Sequence, residues 1–435
     1  MKNLRNIFFI GAVIFLSLGL GYRFGQRSVG NPERGGGGGG IISVLPASEI
    51  SGKENATSAR LDFSLFWEVW DLLGRNYLDK KAIDPQKMVF GAISGMVSSL
   101  GDPYTMFLPP SQNKEAKDDL NGALEGIGAQ LGVSDKKIII IAPLKGSPAE
   151  SAGLRPGDWI QKVDGKETFD WTIQDAISKI RGPKGTSVTL QILPKNSSAS
   201  SEMIIKRDAI HVASVEWDLK SVECANEGML ECKEVKENCP TCNKIAYLKL
   251  TRFGDETNTE WESAINEIVE KTSGIPSSVY KGLILDVRNN PGGYLNGAVF
   301  IGSEFLKMGT VVIQENADGS RDELTVNRRG KLLNVPMTVL INKGSASASE
   351  IVAGALQVRR RATLVGETSF GKGTVQQAMD LKAGAGIHIT TAKWLLPNGQ
   401  WIHQKGLIPE VSIENDTTKP DVDLQLEKAY ESLIK

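Results

Sequence analysis

The sequence predicts an α/β body preceded by a β-rich module and a helical segment. Three observations carry this. From Lys244 onward, strand-like and helix-like stretches alternate, the pattern of a largely parallel sheet covered by helices. Gly282–Val287 and Val335–Ile341 are short runs rich in apolar and β-branched residues, as strands buried on both faces are. Upstream, Leu124 to about Arg207 reads as short strands around one helix, while Leu61–Tyr77 has a helical period.

Residues 1–29 open with Lys2 and Arg5, run through the apolar stretch Ile7–Tyr22, and continue with Arg23 and Arg27. This reads as a targeting segment outside the fold. A single-pass signal anchor, long enough to span with bilayer thinning, is preferred to a cleaved signal peptide. Either places the rest of the chain on the extracytoplasmic side, bound to the membrane or released. Residues 30–59 contain six consecutive glycines among serines and charges. They have too few apolar residues to fold and read as a flexible tether.

Residues 60–118 read as a helical region. Phe63, Phe66, Trp67, Trp70 and Leu73 fall on one face of a first helix. Asp84-Pro85 gives a second helix a capping residue and a proline at its first position, and Gly101-Asp102-Pro103 ends it. The pair reads as a packing or assembly element through which the chain could oligomerise. Residues 119–210 hold the β-rich module, with a turn at Gly146-Ser147-Pro148 and its helix over 172–180.

Residues 211–435 form the body. All four cysteines, Cys224, Cys232, Cys239 and Cys242, lie in the stretch 222–243. The stretch reads as an inserted loop with little core of its own; in an exported chain its cysteines favour disulfides that staple it, with three pairings open, and a four-thiolate zinc site is the alternative. Strands follow at 245–253, 282–287, 309–315, 335–341 and 362–366, and helices at 258–271, 295–307 and 350–359. A strand pair around the turn Pro397-Asn398-Gly399-Gln400 and a final helix over 421–435 close the chain.

The chemistry gathers at the ends of three of these strands. Gly344–Ser349 places three serines at a strand-to-helix corner, and Gly371-Lys372-Gly373 follows the next strand. In a βαβ unit those ends lie on one edge of the sheet, so serine and lysine meet in space. A serine hydroxyl needs a base, and a buried lysine becomes one because desolvation disfavours its charged form. Ser347-x-x-Glu350 is also a capping-box spacing, which needs no chemistry. Pro291-Gly292-Gly293 after the central strand offers exposed amide N–H groups suited to an oxyanion. Net charge is −1, with 50 Lys and Arg against 51 Asp and Glu, so the chain lacks the electrostatic footprint of nucleic-acid binding. His211, His388 and His403, the only histidines, stand in neither a G-x-S-x-G nor an H-E-x-x-H context.

GSASASEI and GETSFGKGTVQ together resemble the carboxy-terminal processing (tail-specific) serine proteases, whose body is ClpP/crotonase-like. The resemblance selects Ser347 as nucleophile and Lys372 as general base, with Gln376 holding the lysine. DVRNNPGG, from Asp286 to Gly293, resembles the same family's oxyanion segment. It implies that the Ala348 N–H and that of Gly292 or Gly293 bind the oxyanion, with Asp286, Arg288 and Glu350 tying the loops together. SPAESAGLRPGDWIQKVDG resembles a PDZ domain, inserted ahead of the body. That implies a carboxylate-binding loop at Gly126, Ile127 and Gly128 and a groove for extended C-terminal tails. The expected activity is a membrane-tethered endopeptidase acting on proteins with unstructured C-termini, without metal or cofactor. A non-catalytic PDZ adaptor is the alternative.

Overall fold

The computed structural model describes residues 62–434, apart from 135, 145, 196, 227–229, 236–238, 240 and 417–421. The expected anchor and tether, residues 1–59, lie outside the described residues. Among those described, no helix is long and apolar enough to cross a membrane.

The chain divides into two units, 1–89 and 90–435. In the first, Ser64–Asn76 forms helix α1. Phe63, Phe66, Trp67 and Trp70 make edge and stacked ring contacts along it. The expected apolar face is not a core face: of its residues Phe63, Phe66 and Leu73 stay exposed, Trp67 is half-buried, and Trp70 alone on this helix is buried. The next helix, Pro85–Ser98 (α2), begins as its sequence predicts. The Asp84 carboxylate accepts the N–H groups of Gln86 and Lys87.

In the second unit, Met106–Leu108 is a short strand (β1) followed by helix Pro110–Asn121 (α3). The PDZ-like module enters through Ala123–Gly126 (β2) and leaves through Asp208–His211, and these two strands pair with each other. Between them a six-stranded sheet buries Ile138, Ile140, Ile160, Val188, Leu190 and Ile192, with helix Ile173–Ile180 (α4) against it. Thr172 and Asp175 close a reciprocal capping box at the start of α4.

The body is built on a seven-stranded sheet. Asn243–Leu250, Tyr280–Asp286, Met337–Ile341, Thr363–Gly366 and Val411–Ser412 run parallel in that spatial order. Alternate residues face opposite layers. Leu283 and Leu285 join Trp261, Ile301, Phe305, Ile351 and Leu356 from helices Thr257–Thr272 (α5), Leu295–Phe305 (α6) and Ala348–Val358 (α7). Ile284, Leu340 and Val365 face Ala429 and Tyr430 of the last helix, Leu424–Ile434 (α8). With both faces covered, a site in this sheet falls at the edge where these strands end.

The cysteine stretch is not the loop its composition suggests. Val215–Asn226 and Leu230–Glu234 form an antiparallel hairpin that extends the sheet, with Cys224 directly opposite Cys232. The sulfurs form two disulfides, Cys224–Cys232 and Cys239–Cys242. Val222 and Cys232 are buried in the α8 layer, so the hairpin has a core. Replacing Cys224 and Cys232 by serine is expected to cost about 2–3 kcal/mol of unfolding free energy for a loop this short, read by urea denaturation.

A second sheet stands beside the first. Gly386–Leu395 pairs with Thr374–Asp380, with Thr310–Asn316 and with β1. The expected hairpin at Pro397–Gln400 is not made. The turn closes, with Gly399 N–H donating to Leu396 and Leu396 N–H to Gln400. Beyond it, however, the Trp401 indole donates to the Gly373 carbonyl at 2.8 Å. This draws the chain across the Lys372 loop instead of back along the strand.

Candidate active site

Met337–Ile341 is buried at every residue and delivers Asn342–Ser349 to the C-terminal edge of the sheet. There three serines adopt different roles. Ser345 Oγ donates to the Val287 carbonyl (2.8 Å) and Ser349 Oγ to that of Asn290 (2.9 Å). Both are fully buried, and both fasten this corner to the neighbouring strand's exit loop. Ser347, between them, is half-buried and caps α7 with φ 56° and ψ −116°. Positive φ at a serine is strained backbone, of the kind held in place by surrounding structure.

Glu350 does that holding. It is 0 % exposed. Its Oε2 accepts the N–H groups of both Ser347 and Lys372, each at 2.9 Å. Its Oε1 accepts Ser369 Oγ and the Gly371 N–H, each at 2.6 Å. The capping spacing is therefore real, and its carboxylate half also fastens the lysine loop to the serine corner. Gly371, at φ 85°, allows a close approach: a Cβ there would stand 2.8 Å from the Gly406 nitrogen.

Lys372 is half-buried. Its carbonyl accepts the Trp394 indole N–H (2.9 Å), and its Nζ lies 5.2 Å from the centre of the Tyr104 ring. Burial pushes the amine below the ordinary lysine range, against the pull of Asp102 and Glu350. A serine and a depressed-pKa lysine thus share one anchoring carboxylate.

Comparison with known proteins places this constellation. Residues 244–413 match the model of peptidase family S41, 139–194 that of a PDZ domain, and 43–111 that of the N-terminal domain of the activating protease CtpB. The chain is 35 % identical over 392 residues to the carboxy-terminal processing protease CtpA of Bacillus subtilis, covering 90 % of this chain and 77 % of that one. This chain belongs to peptidase family S41. It is similarly 37 % identical over 350 residues to CtpB of the same organism, covering 80 % and 67 %. A putative S41 protease from Bacteroides fragilis shares the fold, with a TM-score of 0.51, 17 % identity and coverage of 84 % and 94 %. The chain is accordingly a serine-type peptidase of the carboxy-terminal processing group, with a PDZ domain.

The remaining residues of this S41 peptidase fall into place unevenly. Gly292 (φ 102°) lies against the serine corner, where a Cβ would stand 2.7 Å from Ser347 Cβ. Its N–H is bonded to Asn290 Oδ1 (2.9 Å), and its carbonyl accepts the Phe253 N–H. Gly293 (φ 137°) packs on Phe253, and the Ala348 N–H opens α7, where an amide has no partner within the helix. Asp286 and Arg288 do not tie the catalytic loops. Asp286 accepts from Arg288 and from the Tyr247 hydroxyl, and Arg288 reaches Asp423 and Gln425 at the start of α8. Gln376 donates to Thr374 Oγ1 (2.9 Å) and Thr390 Oγ1 (3.1 Å) rather than to the lysine.

Gly126, Ile127 and Gly128 line a groove of about 250 Å³ with Leu131, Ile177 and Ile180. It lies between Ala129–Ser134 and α4, where a PDZ ligand strand would add. Asp102 and Tyr104, beside Lys372, have no role in the sequence reading. Their signal was the string Gly101–Thr105, of which Gly101-Asp102-Pro103 is read as a helix stop and Tyr104 is given no role in the site.

Proposed function

We propose that this S41 peptidase is exported, tethered to the membrane, and cuts protein tails with a Ser347–Lys372 dyad. The single observation that carries the reading is Glu350 Oε2, which accepts the backbone N–H of both residues. In the proposed cycle neutral Lys372 Nζ takes the Ser347 hydroxyl proton while Oγ attacks the scissile carbonyl. The Ala348 and Gly293 N–H groups receive the oxyanion; the Gly292 N–H, already bonded to Asn290, does not. The ammonium returns its proton to the leaving amine, and water, deprotonated by the same amine, releases the acyl group.

The relatives' names, carboxy-terminal processing proteases, agree with a groove formed by Gly126–Gly128 and α4 that receives unstructured C-terminal tails. Export and tethering rest on the apolar stretch Ile7–Tyr22 between basic flanks, and two disulfides fit an oxidising compartment. The exposed apolar side of α1 supports assembly through the N-terminal region.

A fluorophosphonate probe tests the dyad directly. Ser347 is expected to be labelled, at a rate that rises with pH and levels off once Lys372 has lost its proton. Because burial lowers that pKa, the plateau comes below the pH at which a free lysine titrates. Labelling absent from Ser347, or equally fast in Lys372→Ala, would overturn the assignment.

A further inference from the structure

We propose that Tyr104, carried on the Gly101–Thr105 loop, is a positioning residue for Lys372, its ring face capping the amine while Asp102 fixes the loop. The inference rests on the reading of Lys372 as the base. A lysine ends in a point charge on a flexible four-carbon stem, yet a general base must stay aimed at its proton.

A ring face solves this without competing for the lone pair. Its quadrupole attracts the ammonium formed after proton transfer. It offers the neutral amine no strong hydrogen bond that would turn it from Ser347. At 5.2 Å from the ring centre, Nζ is within cation–π range, and the ring is one of the groups beside the buried amine.

The loop is held in several places. Asp102 accepts the Tyr104 N–H (3.0 Å) and Thr105 Oγ1 (2.7 Å). Thr105 Oγ1 in turn accepts the Thr390 N–H (3.0 Å). Beyond Thr105, β1 pairs Met106 with His388 and Leu108 with Gly386. Gln376 bonds the same Thr390. The glutamine that the family resemblance sets beside the lysine therefore reaches the loop that covers it. The His403 ring meets Tyr104 edge-on, 6.0 Å between centres.

The groups facing the amine come from every neighbouring element. They are Asp102 and Tyr104 on the loop, Glu350 on α7 and His388 on Gly386–Leu395. Burial, then Lys372 itself, pushes His388 down. Burial, the largest influence on Lys372, and Asp102 act in opposite directions. Uncovering the amine and removing the carboxylate should therefore shift the pH profile oppositely.

The test uses the full chain, fluorescein-labelled carboxymethylated casein as unfolded substrate, and the fluorophosphonate rate at Ser347. Tyr104→Ala is expected to lower kcat by roughly tenfold with KM little changed, and to move the acid limb to higher pH. Tyr104→Phe should recover most of the rate and restore the limb. Asp102→Asn should move the limb to lower pH. Tyr104→Leu keeps bulk without a ring face, so its kcat should fall as alanine's does while its limb stays near the parent's, which covers a poorly folded alanine variant. Tyr104→Ala and Tyr104→Leu that cleave within about twofold of the parent, with an unmoved limb, would overturn the proposal. So would a phenylalanine variant as slow as alanine. If Ser347→Ala still cleaves casein, the dyad reading falls instead, and the two failures are distinguishable.

Discussion

Lys372→Met is expected to lower kcat/KM on unfolded casein by roughly 10⁴-fold or more, the scale seen when a nucleophile loses its base. Methionine keeps the length of the apolar stem and removes only the proton acceptor. The fold should therefore stand, and the loss should appear in kcat rather than KM. Ser347→Ala should lose about as much, and the double variant little more, because nucleophile and base act as one unit. Methionine restores no base, so raising the pH should not recover the variant. A Lys372→Met enzyme within about tenfold of the parent would remove Lys372 from the chemistry.

Glu350→Gln is expected to cost about 2–4 kcal/mol of unfolding free energy and most of the activity. All four of its bonds bring donors to the carboxylate: two backbone N–H groups at Oε2, a third and a hydroxyl at Oε1. An amide retains one accepting oxygen and turns its NH₂ on the other pair. Flipping the amide only exchanges which pair is opposed. In a fully buried site no water relieves the mismatch. If the amide faces the Ser347 and Lys372 N–H groups, the strained serine corner loses its link to the lysine loop. Urea denaturation and the fluorophosphonate rate read the two effects separately. A variant as stable and as fast as the parent would show that Glu350 is not the fastener described here.

The layers of the body were legible because parallel strands buried on both faces read as apolar runs. The strands over 280–286, 337–341 and 363–366 fall within one or two residues of their expected limits. The serine corner was legible because its capping spacing is local. What was hidden depends on partners far away in sequence. Met106–Leu108 has no alternation of its own and becomes a strand only against Gly386–His388. This is why the loop before it read as a helix stop. The family resemblance marks Asp286 and Arg288 as charges that tie loops, but nothing local says that Arg288 reaches Asp423 and Gln425 instead. The turn at Pro397–Gln400 was read correctly. Its continuation was not, because the Trp401 indole bonds a carbonyl of the lysine loop. The cysteine stretch looked coreless because its buried partners, Ile284, Leu340 and Tyr430, come from three other elements.

Ala123–Gly126 and Asp208–His211, the two ends of the PDZ segment, run side by side in register. A module hung from adjacent threads leaves the rest of the chain uncut in its topology. Exchanging it for another of the same fold requires no new connection. On the proposed function, tail preference and bond cleavage thus sit on separately replaceable parts, and a lineage can retune what it recognises without disturbing how it cuts.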